Sequence, residues 1–502
     1  MLATGTGTRV EQVMRAVRQR IAARVLGAGA KVPSIRSFAK TLQVSTSTVV
    51  EAYERLAAEG VIQARRGSGF YVGGHASPLS LAGLASLDGN GTRRDRAVDP
   101  LWISRQSLDA GDAVLKPGCG WLPASWMPEP AVRRALRSLA RAPGASLTDY
   151  DTAPGLPALR QLLARRLGEQ GIDAAPDQIL LTESGTQAID LLCRFLVEPG
   201  DTVLVDDPCY FNFVALLRAH RVRVVSVPFT PTGPDLARFE RALAEHRPRL
   251  YVTNSALHNP TGATLSPLVA HRLLKLAEQA GVTIIEDDIY GDFEHEVAPR
   301  LAAFDGLERV AYIGSFSKSL SAATRCGYVV ARREWIEDLI DLKIATSFGG
   351  GRLSAEVVYG VLKDGSYRRH MAALRGRLSQ ATAETRARLK TLGIVPWVEP
   401  RGGMFIWAEL PDGLDAAAVA GCALADDVVL APGNAFSVAQ TARSFLRFNV
   451  SQSGDARVTR VLDAAMRAAR RQTDRDTNGE AQNEARRRDV DVGPARFGVQ
   501  RS

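Results

Sequence analysis

The chain has 502 residues, 45% of them hydrophobic and 23% charged, with a net charge of +9. That length is too great for one ordinary domain, and the composition excludes a disordered or fibrous chain. No run of 18 apolar residues occurs and the apolar residues of the first 30 are interrupted by arginines, so neither a membrane span nor a signal peptide is expected. The five cysteines, at 119, 193, 209, 326 and 422, include no CxxC pair. They argue against a disulfide framework or a metal site and fit a reducing cytoplasm.

Residues 9–26 place Val10, Val13, Val17, Ile21 and Val25 at helical spacing between arginines. Pro33-Ser34 opens a second helix with Ile35, Phe38, Ala39 and Leu42 inward. Val44-Ser45 is a turn and helix cap. The third helix that follows puts Val49, Ala52, Tyr53 and Leu56 on one face and stops at Gly60. "VIQARRGSGFYV" (61–72) reads as strand, Gly-Ser-Gly turn and strand. Three helices and a hairpin predict a winged helix-turn-helix over 9–73. Residues 1–75 carry eleven Lys/Arg against four Asp/Glu, a local positive excess suited to DNA.

Residues 73–100 lose periodicity and are rich in Gly, Ser and Asp, so 74–104 is expected to form a flexible linker. About 28 such residues span about 30 Å. From about 150 to 395, apolar runs alternate with helical stretches: "QILLT" (178–182), "DTVLVDD" (201–207), "RVRVVSVP" (221–228), "RLYVTN" (249–254), "VTIIEDD" (282–288), "RVAYIG" (309–314) and "CGYVVA" (326–331). The alternation predicts an α/β domain with a mostly parallel sheet. Residues 396–470, with 105–149, read as a smaller α+β part. Residues 471–502 are rich in Arg, Asp and Glu and poor in apolar residues, and are expected to form a disordered tail.

Chemistry gathers at the ends of those runs. "ESGTQ" (183–187) follows one strand and opens a helix whose free N–H groups suit a phosphate. "DDPCYFN" (206–212) offers Tyr210 to cover a flat ring, "HNPTG" (258–262) offers Asn259, and "EDDIY" (286–290) offers acids and Tyr290. "SFSKSLSAATRCGY" (315–328) adds Ser315, Ser317, Lys318 and Arg325. A lone lysine says little, because most are solvated. This set, at the C-terminal ends of successive strands, makes one crevice for a phosphorylated, planar, pyridine-like ligand.

Two resemblances sharpen this reading. Residues 32–72, with PSIR, VS-x-x-TV, AYERL, EG and RRGSGxxV in place, resemble the DNA-binding domain of GntR-type regulators. The resemblance implies that Arg36 meets phosphates, that Ser45, Thr46, Ser47 and Thr48 enter the major groove, and that Arg65, Arg66 and Gly67 form a wing. Many members of that family carry an arginine where this chain has Thr46. Losing a bidentate guanine reader forfeits about 1–3 kcal/mol of discrimination at one base, so the operator does not transfer.

Residues 105–470 resemble fold-type I aminotransferases, which bind pyridoxal 5′-phosphate (PLP). The resemblance implies an aldimine with PLP at Lys318, Asp287 on the pyridinium nitrogen, and Asn259 and Tyr290 on the phenolic oxygen. It places Tyr210 on the ring and Ser184, Gly185, Thr186, Ser315, Ser317 and Arg325 at the phosphate, with Gln187 beside them. Tyr150 corresponds to a tyrosine that reaches a neighbouring subunit's phosphate, and Arg447 to the arginine that grips a substrate carboxylate. Trp121 and Trp126 stand either at the substrate entrance or in ordinary packing.

Together the halves resemble the MocR/GabR regulators. That implies a cytoplasmic homodimer, on the nucleoid when bound to its double-stranded DNA operator, which senses an amino acid or amine by forming an external aldimine at Lys318. A working aminotransferase with an accessory DNA-binding domain is the alternative, since no catalytic group is missing.

Overall fold

A computed structural model describes residues 8–22, 26, 30–59, 61–65, 69–72, 104, 107–109, 111, 113–142 and 147–472. The expected linker, apart from residue 104, and the expected tail from 473 onward lie outside the described residues. So do Arg66 and Gly67. The chain divides into two compact units, 1–84 and 85–502.

In the first unit, α1 (Arg9–Ala22), α2 (Ile35–Leu42) and α3 (Thr46–Ala58) pack around the buried side chains of Val13, Val17, Phe38, Val49, Ala52, Tyr53 and Leu56. The four inward residues expected of the third helix are all buried. Pro33 falls just outside α2. Ser34 caps that helix by accepting the Ser37 N–H at 3.2 Å, and Ser45 caps α3 by accepting the Thr48 N–H at 3.1 Å. The hairpin pairs β1 (Ile62–Arg65) with β2 (Gly69–Val72) in antiparallel register. The Tyr53 ring meets Phe38 and Phe70, and its hydroxyl donates to the Pro33 carbonyl at 2.8 Å, tying helix, turn and hairpin together.

The second unit is built on an eight-stranded sheet. Its strands are β3 (Ile179–Thr182), β4 (Thr202–Asp207), β5 (Arg223–Thr230), β6 (Gly233–Pro234), β7 (Leu250–Thr253), β8 (Thr283–Asp287), β9 (Val310–Ser315) and β10 (Gly327–Val330), in the order β3-β10-β9-β8-β7-β4-β5-β6. β5, β4, β7, β8 and β9 run parallel, while β10 lies antiparallel between β3 and β9. Helices cover both faces, which explains the continuous apolar runs. Ile179, Leu181, Leu204, Tyr251, Ile284 and Tyr312 enter one core, while their neighbours Leu180, Val203, Val205, Val252, Ile285 and Ile313 enter the other.

A second sheet, in the order β11-β12-β14-β13, is formed by β11 (Val395–Pro396), β12 (Phe405–Glu409), β13 (Ala431–Pro432) and β14 (Phe445–Asn449). Residues 115–118 run alongside it, with Leu115 bridging to Val428. Gly118 is required there, because a Cβ would stand 2.5 Å from the Ala431 nitrogen. Helical structure continues to residue 472, past the expected start of the tail.

Candidate functional site

The parallel strands deliver their last residues to one edge of the sheet. β3 ends at Thr182, and Ser184 caps α4 (Gly185–Leu196) by accepting the Gln187 N–H at 3.1 Å. The Gln187 side chain turns back to take the Glu183 N–H at 2.6 Å, so it serves the cap instead of facing the pocket. β4 leads to Tyr210, the first residue before α5 (Phe211–Ala219). β7 leads to the turn carrying Asn259, β8 ends on Asp287 and β9 ends on Ser315. Arg325 precedes β10, and the antiparallel sense of that strand brings it to the same edge. Its backbone is left-handed, with φ of 42°.

These groups line one pocket: Ser184, Gly185, Thr186, Tyr210, Asn259, Asp287, Tyr290, Ser315, Ser317, Lys318 and Arg325, joined by Ile189, Asn254 and Ile289. Counting space shared with solvent, it holds about 550 Å³. Tyr150 is not in its lining. That residue is 78% exposed, its ring edge-on to Phe348 at 5.1 Å. Trp121 and Trp126 are not in the lining either, and Trp126 packs beneath the Arg377 guanidinium at 4.0 Å.

Gly185 opens α4 and lines the pocket. A Cβ there would make ordinary contacts at 3.7 Å, whereas at Gly327 it would stand 2.7 Å from the Ser184 carbonyl carbon. The tight approach that shapes the turn therefore belongs to Gly327, which pairs with both Thr182 and Ser315.

Asp287 is 5% exposed. Its Oδ1 accepts the Ile289 N–H at 3.1 Å, and Asn254 donates to its backbone carbonyl at 2.9 Å. Burial pushes its carboxyl up to about 7, with Asp288 adding to the rise and Lys318 opposing it. Burial likewise pushes the Lys318 amine down to about 8, helped by the charges of Arg447 and Arg325 and opposed by Cys119 and Asp287. A lysine with a pKa near 8 is neutral far more often at physiological pH than an ordinary one, and its neutral form is the nucleophile.

Arg447, on β14, is not in the lining either, but from the second sheet it contacts Asn259, which is. Its Nη1 donates to Asn259 Oδ1 at 2.8 Å and its Nη2 to the Gly118 carbonyl at 2.8 Å. The guanidinium stands 4.4 Å from the centre of the Phe405 ring and 4.7 Å from that of Phe436. Its Nε is buried without a partner, and no acid pairs with it among the described residues. Burial lowers its pKa. A desolvated guanidinium without a counter-ion is suited to an incoming carboxylate.

The neighbouring acids have other work. Glu286 accepts the Leu301 and Ala302 N–H groups at 2.8 Å each, and Asp288 takes Arg300 at 2.8 Å and the Tyr312 hydroxyl at 2.7 Å.

In the first unit, Arg36, Thr46 and Ser47 are exposed and Thr48 is half-buried. The Ser45 hydroxyl is engaged by the cap and by Ser47 and Thr48. Arg65 lies on β1 opposite Gly69.

Residues 9–72 match the bacterial regulatory proteins of the gntR family, and residues 124–464 match aminotransferase class I and II. The uncharacterized HTH-type transcriptional regulator YdcR of Escherichia coli (strain K12) is 31% identical over 88% of this chain and 94% of its own. The HTH-type transcriptional regulator NorG of Staphylococcus aureus (strain USA300) is 27% identical over 75% of this chain and 86% of its own. Among solved structures, the α-aminoadipate aminotransferase LysN from Thermus thermophilus, in complex with N-(5′-phosphopyridoxyl)-L-leucine, matches with a TM-score of 0.67 at 27% identity, over 73% of this chain and 95% of its own.

A pyridoxal phosphate suits this donor set. The α4 N-terminus and Arg325 stand ready for a dianion, the buried Asp287 for a ring N–H, Asn259 and Tyr290 for a phenolic oxygen, and Lys318 for an aldehyde.

Proposed function

We infer that this chain, which belongs to the aminotransferase class I and II family and carries a gntR-family DNA-binding module ahead of it, uses its pocket to sense an amino acid or amine. It is a DNA-binding transcriptional regulator of the MocR type, and its cofactor is PLP. The observation that carries the sensing reading is the Arg447 guanidinium, buried beside the Lys318 pocket with no acid paired to it among the described residues. Residues 9–73 would read DNA, 105–470 hold the cofactor, and 74–104 join them in a cytoplasmic homodimer.

When bound, PLP supplies an aldehyde carbon that takes up a primary amine and a ring that draws electrons from it. Lys318 would hold it through Nζ, whose neutral form burial already favours. With its pKa lowered to about 8, that amine would also be able to take up or release a proton beside an incoming amine. Asp287 holds the ring nitrogen protonated, which in turn favours its own carboxylate. Asn259 and Tyr290 fix the phenolic oxygen, and Tyr210 covers the ring. Ser184, Gly185, Thr186, Ser315, Ser317 and Arg325 hold the phosphate, and Tyr150 reaches that of the partner subunit. Arg447 selects ligands bearing a carboxylate. Occupancy of the pocket then biases the arrangement of the paired DNA-binding units, through a difference in ligand affinity between the two arrangements.

The test is an absorbance screen of amines and amino acids against the PLP-loaded protein, alongside its Lys318→Ala variant. The visible cofactor band should depend on Lys318 and shift with a subset of amines. Sustained conversion of amino acid and keto acid over many turnovers would overturn the sensing reading in favour of an enzyme.

A further inference from the structure

The residue immediately after Lys318 is held by a helix that ends far from it. α6 (Arg333–Ser347) is followed, after a shorter helix, by α7 (Ser366–Thr391), whose 26 residues extend about 39 Å. In the first turn of α7, the Tyr367 hydroxyl lies 2.6 Å from Ser319 Oγ and also bonds the Asp292 carboxylate. A carboxylate only accepts and a phenol has one hydrogen. Tyr367 therefore donates to Asp292, and Ser319 donates to Tyr367. Three residues on, His370 Nε2 lies 3.0 Å from the Ser319 carbonyl. A carbonyl only accepts, so that nitrogen carries its proton. Positions i and i+3 share a helix face, so one face of α7 holds both the side chain and the backbone of Ser319.

The same helix reaches the other cofactor loop. Arg375 Nη1 donates to the Asp292 and Glu294 carbonyls at 3.0 and 3.2 Å, just beyond Tyr290. Arg166, whose guanidinium stands 5.1 Å from the centre of the Tyr367 ring, pairs with the Asp292 carboxylate at 2.8 Å. At the far end of α7, Arg388 donates to the Ser453 carbonyl at 3.0 Å. Ser453 in turn donates to the Asn449 carbonyl at 2.8 Å, on β14 two residues past Arg447. One rigid element thus joins the Lys318 loop to the strand that carries Arg447.

We propose that Ser319, Tyr367 and His370 are positioning residues that clamp α7 to the Lys318 loop, so that attachment of the cofactor at Lys318 is transmitted along α7 to β14. Buried, directional hydrogen bonds suit this role, because they hold one discrete arrangement and break as a unit. The inference rests on PLP attachment at Lys318.

The experiment compares amide hydrogen exchange in the full-length apo and PLP-loaded protein, with PLP alone as the probe. PLP carries no substrate carboxylate and so does not engage Arg447 as an amino acid would. In the wild type, PLP should slow exchange at 386–391 and 445–453 by about threefold or more. Y367F keeps the ring against Phe316 and loses only the hydroxyl. It should keep the cofactor band yet lose at least half of that slowing, and S319A should behave alike. Slowing equal to wild type in both loaded variants, or no slowing in the loaded wild type, would overturn the clamp. Absence of any Lys318-dependent cofactor band would instead overturn the reading on which it rests, and the clamp with it.

Discussion

Replacing Arg447 should change which ligands the pocket accepts far more than how many. The guanidinium is 2% exposed, sits between two aromatic rings, and already spends Nη1 on Asn259 and Nη2 on Gly118. Hydrogen bonds to charged groups contribute about 1.5–3 kcal/mol each, so a carboxylate taken by two of its N–H groups gains at least about 3 kcal/mol, roughly a hundredfold in affinity. R447M deletes that gain. It also frees Asn259 and the residue 118 turn, which weakens every ligand alike. The informative quantity is therefore a ratio. An α-amino acid and the same amine lacking its carboxylate should be titrated against the PLP-loaded protein by absorbance. In R447M the preference for the amino acid should fall by roughly a hundredfold, and R447K, with one donor group in place of a fork, should fall between. Equal losses for both ligands would refute the carboxylate role and leave Arg447 as a brace.

Three further outcomes follow from the geometry. Capture of PLP by the apo-protein should rise with pH along the neutral fraction of Lys318, with a midpoint near 8. A stopped-flow rate that keeps climbing tenfold per pH unit past about 9.5 would mean an ordinary lysine. G327A should drive a Cβ onto the Ser184 backbone and weaken PLP binding at least tenfold in an equilibrium titration, whereas G421A, where the Cβ meets nothing, should not. Arg36→Ala in the exposed first turn of α2 should weaken binding to every duplex and lower the slope of log affinity against log salt by about 1. An unchanged slope would remove Arg36 from the phosphate contacts.

Much of this site is legible in the sequence because its parts are local. Each motif is a strand end plus the turn after it, so apolar runs, glycines and caps within a few residues place Ser184, Asn259, Asp287 and Lys318 at one edge. The helices of the DNA-binding unit are legible for the same reason, with Val49, Ala52, Tyr53 and Leu56 recurring at helical spacing. What escapes is pairing across long separations. Nothing near Arg447 announces Gly118 as its partner, and nothing near Ser319 announces Tyr367. Asn254 looks like any strand-end asparagine until its bond to the Asp287 carbonyl is seen. Gln187 and Gly185 show the converse. Their motif suggests a ligand role, yet the first is consumed in capping and the second is sterically ordinary, while the steric demand falls on Gly327 in a strand from elsewhere in the chain.

The central claim is that Lys318 chemistry is read out at DNA. It is tested by measuring the affinity of the full-length protein for a duplex it selects from a random pool, at fixed salt, with PLP and with and without an amine that shifts the cofactor band. The wild type should change its affinity by fivefold or more, the usual lower bound for such coupling, only when PLP and amine are both present, and Lys318→Ala should not respond. The same response in Lys318→Ala, or none in a wild type whose cofactor band shifts fully, would contradict the account.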